Sequence, residues 1–528
     1  MTSADNVVEQ VGAPRHAARR PADDAEAGRL PLEGLAQWAM RVPWCWPALL
    51  TLALGFYQVS RPELWRDELA SWSLATRPVP DLIATARHTD ATEIAYYLLL
   101  HYWIAAFGDS ADAMRALSVL AMAGAAACVT LVGRRLSGAW AGLLAGLVFA
   151  LAPSVSRFAQ EVRSYALGVL VATLATLLLL RVFDKPTVRR WAAYGVCLAV
   201  LGYIDIVALS VVAGHAAGVA MRWWRDRDSR LLGFVPAAVV GLAACLPLAV
   251  IGSGQAAGQV FWILRPGLSL TVFAFFGRNL TYSTGFAAAL FVLAVLAWAV
   301  DRWAAAFATA LAVLPVVAVW LVSQGPHAYF FPRYMLFTVG AWAILAGIAL
   351  SKIDMRVAAA AVLAIAVLGA GDQQVVRAPG AHNWPYYPVN SGVRYWDYAG
   401  AATILAREAK RGDGIVYPTA VNRWLLIGPG IGYYLKRDLR PGVPAPRELF
   451  IAETAAQAGS LFPVECANPA ACVDNYPRRV WVVAGGNYPV PVDALTPGDA
   501  AVLLPKYGPV PEHMWHVKGM TLFLLVRM

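Results

Sequence analysis

Charged residues are scarce in this chain of 528 residues: Asp, Glu, Lys and Arg make up 14% of it, whereas 59% is hydrophobic. Soluble globular proteins carry about 25% charged residues, so the composition excludes an ordinary soluble protein. Long apolar stretches recur between positions 44 and 370, and a bilayer crossing needs about 20 such residues. The sequence therefore predicts a polytopic α-helical membrane protein.

Several familiar signatures are missing as well. The sequence has no Walker loop, no GxGxxG fingerprint and no HExxH motif. The first forty residues have no apolar segment of the signal-peptide kind, and we expect a disordered cytoplasmic tail over 1–42. The net charge of +10 does not predict a nucleic-acid partner, because the basic residues lie in short clusters between apolar stretches, where topology uses them.

Cysteine is rare. Four of the six cysteines lie in apolar stretches and are expected to be small core residues, whereas Cys466 and Cys472 belong to the polar C-terminal part. Their spacing alone is compatible with a disulfide or with two free thiols. A disulfide requires an oxidising compartment, so the topology of the chain decides between the two.

The basic clusters indicate the topology, because cytoplasmic loops collect Lys and Arg. With the N-terminal tail inside, the clusters agree if the apolar segment 94–108 lies along the outer membrane interface instead of crossing it. About eleven spans then follow, with a range of about nine to thirteen. They are 44–60, 112–133, 138–153, 164–183, 190–203, 206–222, 231–251, 285–300, 304–322, 334–350 and 355–370.

This topology predicts three parts in a plasma-membrane protein. The tail 1–42 is cytoplasmic, residues 43–370 form the membrane domain with an outer loop at 61–111, and residues 371–528 lie outside the cell. The last part contains a helix-like segment at 396–410 and strand-like segments at 414–418, 479–486 and 521–526. We therefore expect a small extracytoplasmic α/β domain, in which Cys466 and Cys472 form a disulfide.

Carboxylates and arginines gather on the predicted outer side. Asp67 and Glu68 follow the first span in "WRDELASW", and Asp90 and Glu93 come later in the same loop. Further predicted outer helix ends carry Glu161, Arg163 and Arg333. A solvated loop or a salt bridge would explain each group singly, but charge at the membrane ends of several spans is often functional.

Such an inventory suits one reaction. A sugar held on a lipid phosphate has a good leaving group. A carboxylate deprotonates the hydroxyl that attacks the anomeric carbon, and arginines neutralise the departing phosphate through bidentate contacts.

Five segments carry a resemblance to a known family: "DE" after the first span, "YYLLLH", "GRRL", "AQEVRSYAL" and "PRY" at the start of a late span. In this order they resemble the bacterial family 39/83-like glycosyltransferases over about residues 45–350. These belong to the GT-C superfamily, with the protein O-mannosyltransferases and the lipid A aminoarabinose transferase. The composition also resembles that of an actinobacterial protein.

The resemblance implies the GT-C fold and an inverting transfer, at the outer membrane face, from a polyprenyl-phosphate sugar to an envelope acceptor. It makes Asp67 the general base, with Glu68 completing the acidic motif. It implies substrate contacts at Gln160, Glu161, Arg163, Tyr165, Arg333 and Tyr334, with Arg333 and Tyr334 near the donor phosphate. The charged and polar residues of the first outer loop are expected to bind substrate as well: Arg66, His88, Asp90 and Glu93.

Acceptor and metal stay open at this point. The family often has "HPPLYYLLLH" where this chain has "ATEIAYYLLLH", so the acceptor could be an envelope glycan, a lipid or a protein. Some family members bind a divalent metal. Asp67, His88, Asp90, Glu93 and His101 could supply ligands, although their spacing matches no metal signature.

Two other functions fit the same composition. A flippase for a lipid-linked sugar would use the charges to bind head groups, and it would be expected to have broken helices and polar residues at mid-membrane. A non-catalytic scaffold for envelope assembly would carry its function in the C-terminal part.

Overall fold

The structure of the chain is a computed structural model that describes residues 42–268, 280–381, 396–418, 425–473 and 475–528. The predicted tail, apart from its last residue, lies outside the described residues. From Pro43 onwards the chain forms one compact unit. The predicted start of the C-terminal part at position 371 falls inside a helix that continues to Val375.

The N-terminal two thirds of the chain are helical. In chain order the α-helices are α1 Cys45–Phe56, α2 Arg66–Ala75, α3 Val79–Ala86, α4 Ile94–Phe107, α5 Ala111–Ser137, α6 Ala139–Leu151, α7 Pro153–Ala159, α8 Tyr165–Asp184, α9 Val188–Ile204, α10 Val211–Asp226, α11 Phe234–Ala243, α12 Leu246–Gln259, α13 Thr284–Val300, α14 Arg302–Val322, α15 Val339–Leu350 and α16 Met355–Val375. Short 3₁₀ helices occupy Ala91–Glu93, Val207–Ser210, Ser229–Gly233 and Pro332–Thr338.

Within the described residues, five helical stretches have the length and apolar composition to cross a membrane: α5, α8, α14, α16 and the stretch Pro332–Leu350. Two bent helix pairs raise this number to seven if each pair is one crossing. They are α6 with α7, bent by 64°, and Ser229–Ala243 with α12, bent by 52°. Every one of the eleven predicted spans overlaps a helix of the structure; the number of crossings stays a prediction.

The outward faces of these helices are apolar. Val240, Val250 and Leu363 are 67%, 68% and 66% exposed, and soluble proteins rarely expose contiguous apolar surfaces of this kind. Lipid is the solvent that such faces require. The prediction of a polytopic helical membrane protein is confirmed.

The C-terminal part, residues 396–528, is a small α/β domain, as predicted. Its elements are α17 Tyr398–Glu408, β1 Gly414–Val416, α18 Ile427–Asp438, β2 Arg447–Glu448, β3 Ile451–Glu453, β4 Val464–Glu465, β5 Arg479–Gly485, α19 Pro491–Ala494, α20 Pro497–Tyr507, β6 His513–Val517 and β7 Met520–Val526. One sheet has the strand order β2-β1-β5-β7-β6, with β1 parallel to β2 and β5 and with β7 antiparallel to β5 and β6. Strands β3 and β4 form a separate hairpin.

The C-terminal domain and the first large loop, residues 57–110, share one hydrophobic core. Leu69 and Tyr96 of the loop belong to the same buried cluster as Trp481 and Leu522 of the sheet. At the rim of this contact, Asp109 accepts hydrogen bonds from Arg437 (2.9 Å) and Lys436 (3.3 Å). The domain is thereby held against the loop that carries Asp67.

Candidate active site

A cavity of about 900 Å³ opens where the first large loop, the helix ends and the C-terminal domain meet. Its polar lining is charged with both signs. The charged residues in its wall are Arg66, Asp67, Asp90, Glu93, Arg157, Arg163, Asp205 and Arg333. The structure therefore brings together groups from five segments that are far apart in the sequence.

Asp67 and Arg333 meet in the wall of this cavity. Oδ2 of Asp67 lies 3.2 Å from Nη2 of Arg333, and Oδ1 accepts a hydrogen bond of 3.2 Å from Nε of Arg66. Burial by itself would raise the pKa of the Asp67 carboxyl, but the positive charges of Arg333 and Arg66 outweigh burial and hold this pKa below the ordinary value of 3.8. Asp67 is therefore ionised over the whole physiological range.

Local structure explains the position of Asp67. Helix α2 begins after Trp65, and Asp67 lies in its first turn, where the positive end of the helix dipole favours a carboxylate. Arg333 follows Pro332, the first residue of a 3₁₀ helix. Proline is common at the first position of a helix, because the N–H that it lacks would have no partner within the helix there. Both charged groups are thus fixed at helix N-termini.

Aromatic rings surround the Arg333 guanidinium. Its central carbon lies between 4.7 and 5.9 Å from five ring centroids, those of Trp65, Tyr165, Trp262, Phe331 and Tyr334. Cations are attracted to aromatic faces, and the rings also exclude water. Within the described part of the chain, the buried Nε of Arg333 has no hydrogen-bond partner, which leaves a donor for a ligand.

Asp90, Glu93 and Asp205 form a second part of the lining, which we call the acidic wall. Tyr97 donates a hydrogen bond of 3.0 Å to Oδ2 of Asp90, and Nη2 of Arg163 lies 3.4 Å from Oε1 of Glu93. Burial raises the pKa of Asp90 and of Glu93, and the charge of Arg163 only partly offsets it. These carboxyls consequently bind protons more readily than Asp67 does.

This difference predicts the pH dependence. Asp67, whose pKa is lowered, stays charged as the pH falls. Glu93, whose pKa is raised, takes up a proton at a pH above its ordinary pKa of 4.5. We expect kcat/KM to decline on acidification with a midpoint above pH 4.5, and the midpoint to move lower in Glu93→Gln. A pH profile of both proteins checks this, and a wild-type midpoint at or below 4.5 would contradict it.

Two of the expected site residues lie outside the cavity lining and act in the framework. Glu68, expected to complete the catalytic motif, is fully buried and accepts two hydrogen bonds of 2.9 Å from Arg115 and one of 3.0 Å from the N–H of Val162. Gln160, expected to bind substrate, donates from Nε2 to the carbonyls of Gly55 and Tyr57. Both side chains join helix ends to each other, and the roles expected of them stay predictions.

Glu161 and His88 are also absent from the lining. Glu161 is 1% exposed and accepts hydrogen bonds from Nε1 of Trp65 (3.0 Å) and Nη1 of Arg157 (2.7 Å). Its contact with Trp65 holds the ring over which Arg333 lies, and its expected substrate contact stays a prediction. His88 is exposed and lies outside the cavity. The other expected substrate-binding residues, Arg66, Asp90, Glu93, Arg163, Tyr165, Arg333 and Tyr334, all line it.

Sequence reasoning missed Arg157 and Asp205. Arg157 lies one turn before Glu161 within "SRFAQEVRSY", a spacing that predicts an i,i+4 pair. Asp205 stands out as an isolated carboxylate among apolar stretches, and such residues mark functional sites in membrane proteins. Both signals are present in the sequence.

The residues considered for a divalent metal do not fit one. Within the described ranges, no group of three or more His, Cys, Asp or Glu side chains could hold a metal ion. His101 directs Nδ1 to the carbonyl of Ala75 at 2.8 Å, and His88 is exposed.

The structure joins Cys466 and Cys472 in a disulfide, with their Cα atoms 6.2 Å apart. It closes a short loop beside the β3–β4 hairpin. The residues between these two strands include Leu461 and Phe462, which reach the cavity. The disulfide thus belongs to the part of the C-terminal domain that faces the site.

Residues 94–251 match the family model described as dolichyl-phosphate-mannose-protein mannosyltransferase. No curated protein sequence matches the chain. Among solved structures, apo ArnT from Cupriavidus metallidurans is similar with a TM-score of 0.57 and 13% identity, over 93% of this chain and 98% of that one. ArnT from the same organism bound to undecaprenyl phosphate is similar with a TM-score of 0.56 and 13% identity, over 90% and 97%.

The structural likeness extends over the membrane helices and the C-terminal domain together, and the family match covers the part of the chain that carries "YYLLLH", "GRRL" and "AQEVRSYAL". The family match supports the resemblance inferred from these short segments, and the chain is a membrane protein with the fold of ArnT.

Proposed function

We propose that this protein is an inverting glycosyltransferase. It moves a sugar from a polyprenyl-phosphate donor to a cell-envelope acceptor at the outer face of the plasma membrane, with Asp67 as general base. The observation that carries the proposal is the contact of 3.2 Å between Asp67 and Arg333 in the wall of one cavity. A base for the acceptor and a cation for the leaving phosphate are adjacent there.

In the reaction, the acceptor oxygen forms a bond to the anomeric carbon as the bond from that carbon to the phosphate oxygen breaks. The acceptor's proton passes to Asp67. The bonding electrons leave with the phosphate, whose charge is stabilised by Arg333 through charge-assisted hydrogen bonds. Attack from the face opposite the phosphate inverts the anomeric configuration.

The ion pair between Asp67, the base, and Arg333, which clamps the phosphate, gives donor binding an effect on the pKa of Asp67. A bound phosphate competes with Asp67 for Arg333, because both are anions. Once Arg333 turns to the phosphate, the charge that lowers the pKa of Asp67 is partly neutralised, and Asp67 becomes a stronger base. Donor binding thereby activates the group that deprotonates the acceptor.

The remaining lining supports a lipid donor. Ala256, Val260 and Phe261, at the end of α12 and just after it, and Val319 and Val322 of α14 give the cavity an apolar side, which suits an isoprenoid chain. ArnT bound to undecaprenyl phosphate has the same fold. The C-terminal domain adds Leu461 and Phe462 to the lining, and we expect the acceptor to enter past them.

The proposal is tested with purified protein in lipid nanodiscs and undecaprenyl phosphate linked to mannose, galactose or arabinofuranose. We expect transfer of one labelled sugar to an envelope extract. Arg333→Lys keeps the charge but loses the planar fork, so we expect it to weaken undecaprenyl phosphate binding by about tenfold.

The matched control is Arg407→Lys, in which an arginine that is 69% exposed on α17 is changed. We expect this control to bind as the wild type does. Wild-type affinity for undecaprenyl phosphate in Arg333→Lys would contradict the assignment of the clamp. Absence of transfer with every donor would contradict the reaction.

A flippase for a lipid-linked sugar is the second candidate, because both bent helix pairs contribute to the cavity. Arg157 and Phe158 of α7 and several residues of α12 line it, and broken helices are typical of transporter binding sites. Movement of labelled donor across proteoliposomes without any acceptor would favour this function. Transfer that requires an acceptor favours the enzyme.

A further inference from the structure

Three buried polar atoms in and beside the acidic wall have no partner within the described part of the chain. They are Oε2 of Glu93, Nε of Arg163 and Oγ of Ser210, and all three residues line the cavity. Leaving a buried donor or acceptor without a hydrogen bond costs about 1–3 kcal/mol. Native structures therefore rarely leave such atoms unpaired, unless a ligand completes them.

Asp205 belongs to the same side of the cavity. Its Oδ1 accepts hydrogen bonds from the N–H groups of Val207 (3.1 Å) and Ala208 (3.2 Å) and caps the 3₁₀ helix that ends at Ser210. A side chain at Gly168 of α8 would approach Oδ2 of Asp205 to 2.9 Å, so the glycine leaves space for this carboxylate. One capped turn thus brings Asp205 and Ser210 to the cavity together.

The charges of the wall decide what it can bind. A phosphate would be repelled by three carboxylates, and an isoprenoid chain would leave the unpaired oxygens without donors. Arg163, whose Nη2 lies 3.4 Å from Oε1 of Glu93, offsets only part of the negative charge of the wall. A group rich in hydroxyl donors meets neither objection, since carboxylates are strong acceptors of O–H hydrogen bonds.

The wall adjoins the apolar side of the cavity. Gln255 of α12 accepts a hydrogen bond from the N–H of Ala91 (2.9 Å) and donates one to the carbonyl of Ala86 (3.0 Å). These contacts join α12 to the segment that carries Asp90 and Glu93. A sugar at this wall would therefore be continuous with a lipid held along α12 and α14.

We propose that Glu93, Asp205 and Ser210 form a recognition site for the hydroxyl groups of the transferred sugar, separate from the arginine that takes the phosphate. The inference rests on the proposed function and names the part of the donor that each region holds. It assigns a hydroxyl-rich sugar as the transferred group.

The test measures binding without acceptor, in nanodiscs. The probes are undecaprenyl phosphate alone and undecaprenyl phosphate linked to mannose, galactose or arabinofuranose. The variants are Asp205→Asn, Glu93→Gln and Ser210→Ala. An Asn side-chain oxygen still accepts from Val207 and Ala208, so Asp205→Asn keeps the turn and changes only the second oxygen. Glu512→Gln, at a carboxylate that is 51% exposed, is the matched control.

We expect the wild type to prefer at least one sugar-linked probe over the bare lipid. Asp205→Asn and Glu93→Gln should each reduce this preference by about tenfold, and Ser210→Ala by less. Affinity for bare undecaprenyl phosphate should stay unchanged in all variants and in the control. Thermal unfolding of each variant verifies that it is folded.

The other outcomes separate the two proposals. An unchanged preference in the folded variants, an equal loss of affinity for bare and sugar-linked lipid, or no preference in the wild type overturns the sugar site while the phosphate site stands. A wild type that binds no undecaprenyl phosphate overturns the proposed function, and the sugar site falls with it.

Discussion

The Asp67→Asn variant is expected to fold, to bind donor and to lose transfer by about 10²- to 10⁴-fold, the usual contribution of a general base. Asn has the shape of Asp but cannot take the acceptor's proton. The side chain lies at the cavity surface, 15% exposed, in the first turn of α2, where an amide is tolerated. The loss should therefore appear in kcat.

The contact with Arg333 makes this prediction sharper. Without the carboxylate, Arg333 loses a competing anion at 3.2 Å, so the affinity for undecaprenyl phosphate should be unchanged or higher. Transfer rates and lipid affinity measured on the same preparation separate the two effects. Glu512→Gln serves as control and should behave as the wild type in both assays. Near-normal turnover in Asp67→Asn would sink the assignment of the base.

Arg115→Met is expected to have the largest effect on stability. Arg115 is fully buried and donates to both carboxylate oxygens of Glu68 at 2.9 Å and to the carbonyls of Val59 (2.6 Å) and Pro62 (2.7 Å). Removing one partner of a buried ion pair leaves an uncompensated charge, at a cost of about 3–5 kcal/mol. The measurement is the midpoint temperature of thermal unfolding in detergent, which should be lower in Arg115→Met than in the wild type.

Two further variants serve as controls for that result. Arg115→Met combined with Glu68→Leu removes both charges, and apolar replacement of a whole buried pair is often neutral, so part of the lost stability should return. Arg230→Met changes an exposed arginine that pairs with Asp228 and should leave the midpoint nearly unchanged. A midpoint for Arg115→Met equal to that of Arg230→Met would contradict the framework role of the pair.

Much of the fold could be predicted from the sequence, because helices that face lipid and strands buried in a sheet both require apolar residues. Each of the eleven predicted spans overlaps a helix of the structure. The segments 414–418, 479–486 and 521–526 correspond to β1, β5 and β7, whose residues are mostly buried. The edge strand β6 was missed because it is largely exposed, and an exposed edge carries no apolar run. The bends at α6–α7 and α11–α12 were also missed, since composition does not record an angle.

The candidate site was predicted in part. Asp67, Arg163 and Arg333 were identified from charge at helix ends and from the resemblance, and all three line one cavity. Glu68 and Glu161 carry the same type of charge at similar positions, but the structure turns them to Arg115 and Arg157. The direction of a carboxylate depends on which arginine reaches it, and that is set by helix packing.

By itself, the sequence determined that the chain is a membrane protein, that an α/β domain follows the helices, and that carboxylates and arginines lie at helix ends. These properties follow from composition and local periodicity, which act along the chain. Only the tertiary structure decided which charges share a cavity and which are buried as framework. Coulombic and hydrogen-bond contacts act over a few ångströms in space, so Asp67 and Arg333, distant in sequence, became one site only when the helices packed.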